Sequence, residues 1–220
     1  MLSTIKVRLQ LITGLVLLFC VIGGFFIFNA LSTLNDDFDK LKNYSSQAKI
    51  ETLTINKELN YMSRLTRDIL LGGDYEKNME KLSQTVKKID ESYNILRKIT
   101  KDAGESTNEI EASYESTKKF LSISMTIMES LRQTNREPLA LQQAYERYKS
   151  EATHPAEEAR ETFGKVVKVT DNELNKTTLE FAHAFDSAKE RVIIVFALTF
   201  IFGVIPLVLI GRYVIFSLYK

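Results

Sequence analysis

The sequence predicts an all-α protein, an antiparallel up-down-up-down four-helix bundle that is continuous with two transmembrane helices. Three observations predict it. Apolar residues are concentrated at both ends of the chain, few glycines and prolines interrupt the segment between them, and each uninterrupted piece repeats apolar residues every three or four positions. A half-buried strand would need a period of two, so these pieces are predicted to be helices.

Two uncharged segments flank the middle of the chain. No charged residue occurs from Leu9 to Asn35 or from Val192 to Gly211. Each segment is about as long as the ~20 apolar residues that a helix needs to cross a bilayer. A cleaved signal peptide is the alternative for the first segment, with Ala30-Leu31-Ser32 as a weak cleavage site, but a signal h-region usually has only about 7–15 residues.

Basic residues beside these segments predict their orientation. Lys6 and Arg8 precede the first, and Arg212 and Lys220 follow the second. The positive-inside rule therefore places both ends in the cytoplasm. The predicted order is a cytoplasmic N-terminus (1–8), a transmembrane helix (9–30), an extracytoplasmic domain (31–191), a second transmembrane helix (192–211) and a cytoplasmic segment (212–220).

The charge balance of the middle segment excludes one class of partner. All 28 acidic residues lie there with 25 of the 29 basic residues, so its net charge is 25 − 28 = −3. Nucleic acid is not expected as a partner, because phosphate binding needs a clustered excess of Lys and Arg. The one cysteine, Cys20, lies in the first apolar segment, so the extracytoplasmic domain has no disulfide.

Four helices are predicted in the extracytoplasmic segment. Heptad-like seams run from Leu31 to Ile69, Met79 to Ala103, Ile110 to Leu131, and Ala159 to Ala188, the last with a stutter between residues 170 and 174. The breaks between them are short, so consecutive helices should be antiparallel neighbours. At ~1.5 Å per residue the first helix is ~60 Å long and the second only ~43 Å, so the stem near the membrane should contain only the first and fourth helices.

Pro138 leaves two alternatives for the third helix. The helix ends near Glu137 and residues 139–152 form an additional short helix, closed by His154-Pro155, or one helix continues through Pro138 with a kink. The residue before a proline is disfavoured in the α conformation, which is the reason to expect a break.

No catalytic or metal-binding pattern is present in the sequence. No nucleophile is paired with a base, there is no Gly-rich phosphate loop, and His154 and His183 are separated, with no cysteine near either. The protein is therefore predicted not to be an enzyme and to need no cofactor or metal. His183 is interpreted as a surface residue of the stem.

One constellation below the Gly72-Gly73 turn is a candidate ligand site. Asn60, Arg64 and Arg67 lie near the end of the first helix, and the spacing of the two arginines predicts one face that points away from the core. Arginine pairs bidentately with carboxylates, so these residues could contact an anionic ligand or a second subunit. The alternative is a solvated Arg64–Asp68 ion pair.

Two further pairs of residues are candidates for a functional role, one in ligand binding and one in dimerisation. Tyr145 and Tyr148 could line a pocket at the membrane-distal end, or they could be core residues of the short segment. Cys20 and Gly24 form a small-xxx-small pair, which lets transmembrane helices approach closely, so they are candidates for a homodimer interface.

The layout resembles the four-helix-bundle sensory module of methyl-accepting chemotaxis receptors over the whole chain. The stretch from Tyr61 to Gly73 (YMSRLTRDILLGG) looks like the end of the first helix in that family, where arginines of amino-acid receptors contact the ligand carboxylate across the dimer. Arg64 and Arg67 are the matching positions. The resemblance implies a homodimer in the bacterial inner membrane that senses a small ligand outside the cytoplasm.

The last residues resemble the opening of a HAMP linker, which joins the last span of such receptors to their signalling domain. Residues 212–220 have Ser217-Leu218 where that linker usually has Pro-Leu. The chain is thus expected to be a fragment of a receptor whose cytoplasmic part binds the signalling partners. One alternative is that the chain is the sensory module of a histidine kinase or cyclase. An alternative from a different class of protein is a membrane-anchored structural coiled coil.

Overall fold

The structure of the protein is a computed structural model that describes residues 2–134, 136–206, 208, 209, 211 and 212. Its regular structure over these residues is helical throughout. The segment predicted to open a HAMP linker lies, apart from Arg212, outside the described residues.

Six α-helices follow one another along the described chain. They are α1 (Leu2–Lys40), α2 (Gln47–Leu70), α3 (Tyr75–Asp102), α4 (Asn108–Ser130), α5 (Pro138–Glu151) and α6 (Thr153–Thr199). A π-helical turn (Leu41–Ser46) joins α1 to α2 without a break, a 3-10 turn (Leu131–Gln133) follows α4, and a second π-helical turn (Phe200–Val204) follows α6. The predicted all-α fold is confirmed.

The chain divides into two compact units. Residues 40–177 form the bundle, and residues 1–39 and 178–220 form a second unit. The described helical part of the second unit consists of α1, the end of α6, and the π-helical turn and helical residues that follow α6. The bundle contains α2, α3, α4, α5 and the first part of α6.

Hydrogen bonds and ion pairs between helices define the order of the bundle. They are Asn78 to Asp68 for α3 and α2, Tyr93 to Ser113 for α3 and α4, Ser116 to Thr162 for α4 and α6, and Lys49 to Asp171 for α2 and α6. Further contacts show the direction, since residue numbers rise in one helix as they fall in the other from Arg97–Glu111 to Tyr93–Ser113 and from Ser116–Thr162 to Lys119–Glu158. Residues 71–74 join α2 to α3 by a short turn. Chain neighbours α2, α3, α4 and α6 are therefore antiparallel and close into a ring, as predicted.

The predicted seams form the core of the bundle. The fully buried large side chains of the four main helices include Ile55, Met62 and Ile69 of α2, Leu82, Ile89, Tyr93 and Leu96 of α3, Ile127 and Met128 of α4, and Val166 of α6. Burying one such aliphatic side chain contributes about 1.5–3 kcal/mol. The period of three and four residues thus identified the buried face of every main helix.

Many core positions are polar, and their hydroxyls are bonded within their own helix. Buried Thr52, Thr66 and Thr170 each donate a hydrogen bond to the carbonyl four residues earlier. Tyr93 differs, because its buried hydroxyl bridges α3 to α4 through Ser113 at 2.7 Å and Thr117 at 3.1 Å. Each buried hydroxyl named here therefore has a partner, which avoids the cost of burying an unpaired polar group.

Glycines end α2 and α3 by the same motif. Gly72 has φ +83° and Gly104 has φ +77°, a left-handed conformation that glycine adopts without steric cost. In α2, Gly72 N–H bonds Ile69 O at 3.0 Å and Gly73 N–H bonds Asp68 O at 2.9 Å, which is the hydrogen-bond pattern of a Schellman motif. The chain can then reverse at once, and α3 follows with Asp74 as its N-cap.

Prolines lie in the first turns of the two helices that follow α4. Pro138 is the first residue of α5, and Glu137 before it is extended (ψ 150°), so the break predicted as one alternative is the observed one. The prediction that His154-Pro155 closes this short helix is wrong. Pro155 lies in the first turn of α6, where the amide hydrogen that proline lacks would have no intrahelical partner.

The unit formed by α1 and the end of α6 is a close helix pair. Phe19 stacks on Phe202 with ring centroids 5.7 Å apart, and a Cβ added to Gly23 would lie 2.7 Å from Val195. Cys20 is exposed, and a Cβ added to Gly24 would meet no atom within 4 Å. Gly23 and Gly203, which lies close to Val16, are thus glycines of the contact within the chain, whereas Cys20 and Gly24 lie outside it.

One of the described helices is long and apolar enough to cross a membrane. It is the continuous helix from Val16 to Leu70, and only 11% of its most apolar window is buried within the chain. The predicted first span overlaps it. The predicted second span, 192–211, also has exposed large apolar side chains, among them Ile193, Phe196 and Phe202, and stays a prediction.

Candidate ligand-binding site

A cavity between α2, α5 and α6, here named the distal cavity, joins residues from two separate sequence predictions. Its volume is about 340 Å³, and it is lined by Arg67 of α2, by Tyr145 and Tyr148 of α5 and by Arg160 of α6, with Phe120 of α4 also in its wall. This volume lies within the range of small-molecule pockets, about 300–1,000 Å³.

The lining of the distal cavity is strongly basic. Arg67, Lys149 and Arg160 face a single carboxylate, that of Glu157. These four side chains form no ion pair within the described part of the chain. The lining thus has two more positive than negative charges, on side chains that are exposed and form no ion pair, and this excess favours a bound anion.

Tyr148 adds a neutral hydrogen-bond donor to the charged donors of the cavity. Burial raises the pKa of its phenol above the ordinary value, while Ser124 and the positive charges of Arg160 and Arg67 act in the opposite direction. The phenol is therefore protonated at neutral pH. A protonated hydroxyl in a cavity that two arginines also line can donate to a carboxylate or phosphate oxygen.

A second cavity, here named the proximal cavity, adjoins the first along the α2–α6 groove. It has a volume of about 430 Å³ and shares Ser63, Phe120, Ala156 and Arg160 with the distal cavity. Asn56 and Asn60 of α2 and Lys168 of α6 lie around it. The two cavities are thus parts of one groove, with Arg160 common to both.

Arg64 and Arg67 do not share the predicted face. Arg64 lines a separate cavity with Lys57, Glu58 and Lys88, and Arg67 lines the distal cavity. Asn60 lies between the two regions and lines both the proximal cavity and the cavity of Arg64. Residues three apart diverge by about 60° around a helix, enough to direct the two side chains toward opposite neighbours of α2. Whether either arginine binds a ligand stays a prediction.

The alternative of an Arg64–Asp68 ion pair is wrong for the described residues. The Arg64 guanidinium lies over the Tyr61 ring, 4.8 Å from its centroid. The Asp68 carboxylate accepts a hydrogen bond from the Asn78 side chain and thereby joins α2 to α3 near the turn. Asp68 is therefore part of the turn structure rather than of the ligand site.

Tyr145 and Tyr148 are not simply core residues of α5. Tyr145 is 50% exposed and Tyr148 is partly buried, and both line the distal cavity. Ala144 is the buried residue of α5. The two tyrosines thus line a cavity, with Tyr148 also packed against the core, and their contact with a ligand stays a prediction.

Sequence reasoning missed Arg160, Lys149 and Phe120 as residues of this groove. Arg160 lies on an exposed position of a helix rich in Lys and Glu, so composition alone gave no signal for it. A usable signal is that α6 already begins at Thr153, so Arg160 belongs to this helix. It follows buried Ala159 by one residue and precedes buried Phe163 by three, which places it at the edge of the core face. No group of His, Cys, Asp and Glu among the described residues could hold a metal ion.

One comparison with known proteins gives a match. Residues 2–180 match the family model of a four-helix-bundle sensory module for signal transduction, that of methyl-accepting chemotaxis proteins. No curated protein and no solved structure matches the chain significantly.

The match covers α1 to α5 and more than half of α6, and it agrees with the antiparallel ring of helices described above. This family transduces signals and is not a catalytic one, in line with the absence of a catalytic pattern in the sequence. Its members are modules of membrane receptors. The chain belongs to the four-helix-bundle sensory modules of methyl-accepting chemotaxis proteins.

Proposed function

We propose that this chain is the sensing part of a multi-pass chemoreceptor in the bacterial inner membrane, and that it binds a small anionic ligand outside the cytoplasm. The observation that carries the proposal is the convergence of Arg67, Arg160 and Tyr148 on one cavity. A structural coiled coil would need neither that cavity nor three cations without ion pairs around it. Binding in the cavity is passed through the membrane to cytoplasmic signalling partners of the receptor.

The relay we propose runs through α6. This helix contributes Arg160 to the cavity and Val166 and Thr170 to the core, and it continues without interruption to Thr199. A packed core has discrete arrangements rather than continuous ones, so a bound ligand selects between helix positions. The ligand can shift this equilibrium only by its differential affinity for the two states, commonly a coupling of about 1–3 kcal/mol.

A thermal-shift screen tests the proposed function. The purified protein in nanodiscs is titrated with small carboxylates, phosphate and sulfate, with neutral analogues such as the primary amides of the same acids as controls. A ligand present at 100 times its Kd stabilises the folded state by about 2.7 kcal/mol, so Tm should rise with the acid and not with its amide. Tyr148→Phe should reduce the shift. An amide that raises Tm as much as its acid would contradict an anion site.

The homodimer is proposed to use the exposed face of the first span. Mild oxidation of membranes should yield a Cys20–Cys20 crosslinked dimer, because Cys20 and Gly24 lie on a face that is not covered within the chain and can approach a partner closely. Gly24→Leu should reduce the yield. The matched control is Phe19→Cys in a Cys20→Ser background, where the thiol faces Phe202 of the same chain. Equal crosslinking of both cysteines would argue against this interface.

A further inference from the structure

The proximal cavity differs from the distal cavity in the chemistry of its wall. Its sides are apolar, formed mainly by Leu59 of α2, Phe120 of α4 and Phe163 and Val167 of α6, all of which belong to the hydrophobic core or pack against it. Its polar side chains lie around this apolar wall, with Arg160 at the junction with the distal cavity. Arg160 and Lys168 make the proximal cavity basic as well, but it has the more apolar wall of the two.

Gly164 lines the proximal cavity at a position where no side chain occupies the space. The residue lies in the interior of α6, where glycine is less favourable than alanine because it loses more backbone freedom on folding. A Cβ at this position would meet no atom within 4 Å, so no close contact within the chain explains the glycine. Gly164 lines the proximal cavity, and a larger side chain there would project into space that the groove leaves empty.

We propose that the proximal cavity binds the apolar tail of an amphipathic anion, whose head group is held in the distal cavity by Arg160 and Arg67. The inference rests on the proposed function, because it takes the anion site as the anchor. The ligand class is a monocarboxylate with an alkyl or aryl tail. Such a ligand matches both parts of the groove, since its charge meets the unpaired cations and its tail displaces water from Leu59, Phe163 and Val167.

Calorimetric titration with acetate, butyrate, hexanoate and octanoate tests the proposal. The protein is kept in nanodiscs, and a titration of empty nanodiscs is subtracted. Each methylene that becomes buried should tighten binding about fourfold, so affinity should rise steadily with chain length. In Gly164→Leu the added side chain fills the cavity, and the gain beyond butyrate should disappear while acetate binds as it does to the unchanged protein.

Two variants serve as controls. Asn172→Leu adds the same side chain at an exposed position of α6 outside both cavities, and it should keep the full dependence on chain length. Gly164→Ala should fold at least as well as the unchanged protein and should lose only part of the octanoate gain. If Gly164→Leu weakens acetate and octanoate equally, or if octanoate binds no better than acetate, the tail site is refuted.

The failure of this inference can be distinguished from failure of the proposed function. Short anions that bind in an Arg160-dependent way, with no further gain from the tail, would overturn only the tail site. If carboxylates of every length, phosphate and sulfate all fail to bind, both proposals are overturned. If octanoate binds to Arg160→Ala as tightly as to the unchanged protein, its tail associates with apolar surface without an anchored head group. That result would also refute the tail site.

Discussion

Replacing Arg160 with alanine should weaken the binding of a small carboxylate about 10- to 100-fold. A hydrogen bond to a charged group contributes about 1.5–3 kcal/mol, and each 1.4 kcal/mol is a tenfold change in Kd. Arg67→Ala should have an effect of similar size, because both arginines line the distal cavity. Calorimetry with a carboxylate identified by the screen measures both.

The matched control for these substitutions is Arg64→Ala. Arg64 is also an exposed arginine of α2, but it lines a different cavity and lies over Tyr61. Its replacement should change affinity less than about twofold, as expected for a surface charge whose interaction is screened by solvent. If Arg64→Ala abolishes binding and Arg160→Ala does not, the ligand lies on the other side of α2, and the distal cavity is not the site.

Leu82→Ala should be among the most damaging substitutions in the bundle. Leu82 is fully buried in α3, and truncating such a leucine removes its packing and leaves a cavity, at a cost of about 2–5 kcal/mol. Leu139→Ala is the control, since Leu139 is 64% exposed in α5, and a surface substitution usually changes stability by at most about 0.5 kcal/mol.

Denaturant unfolding followed by helical circular dichroism compares the two leucine variants. The midpoint should fall for Leu82→Ala and stay near that of the unchanged protein for Leu139→Ala. Equal stability of the two variants would mean that α3 does not pack in the bundle through the face that contains Leu82, which would contradict the heptad assignment for that helix.

The sequence predicted the bundle well, because its helices are defined by local patterns. The period of Met79, Leu82 and Ile89 identifies the buried face of α3, and Gly72 and Gly104 mark the ends of α2 and α3 by their backbone freedom. These signals depend on residues within one or two turns of a helix. The pattern therefore fixes the elements and their order before any packing is known.

The site was less predictable, because it depends on which helices approach one another. Arg67 and the α5 tyrosines were separate candidates in the sequence, and the folded chain places them around one cavity that also contains Arg160. Arg64, in contrast, is three residues from Arg67 and lines another cavity. Spacing along one helix cannot determine which cavity each arginine lines, since that depends on which helices lie beside α2.

The way in which core hydroxyls are satisfied has a mechanical consequence. Thr162 and Thr177 of α6 bridge to neighbouring helices through Ser116 and Ser45, but each also donates to a carbonyl of its own helix. A shift of α6 along its axis would therefore break the bonds to Ser116 and Ser45 without leaving these two hydroxyls unbonded. Tyr93 has no such bond within its own helix, because both of its partners, Ser113 and Thr117, belong to α4. The same shift between α3 and α4 would leave the Tyr93 hydroxyl unpaired in the core, at a cost of about 1–3 kcal/mol.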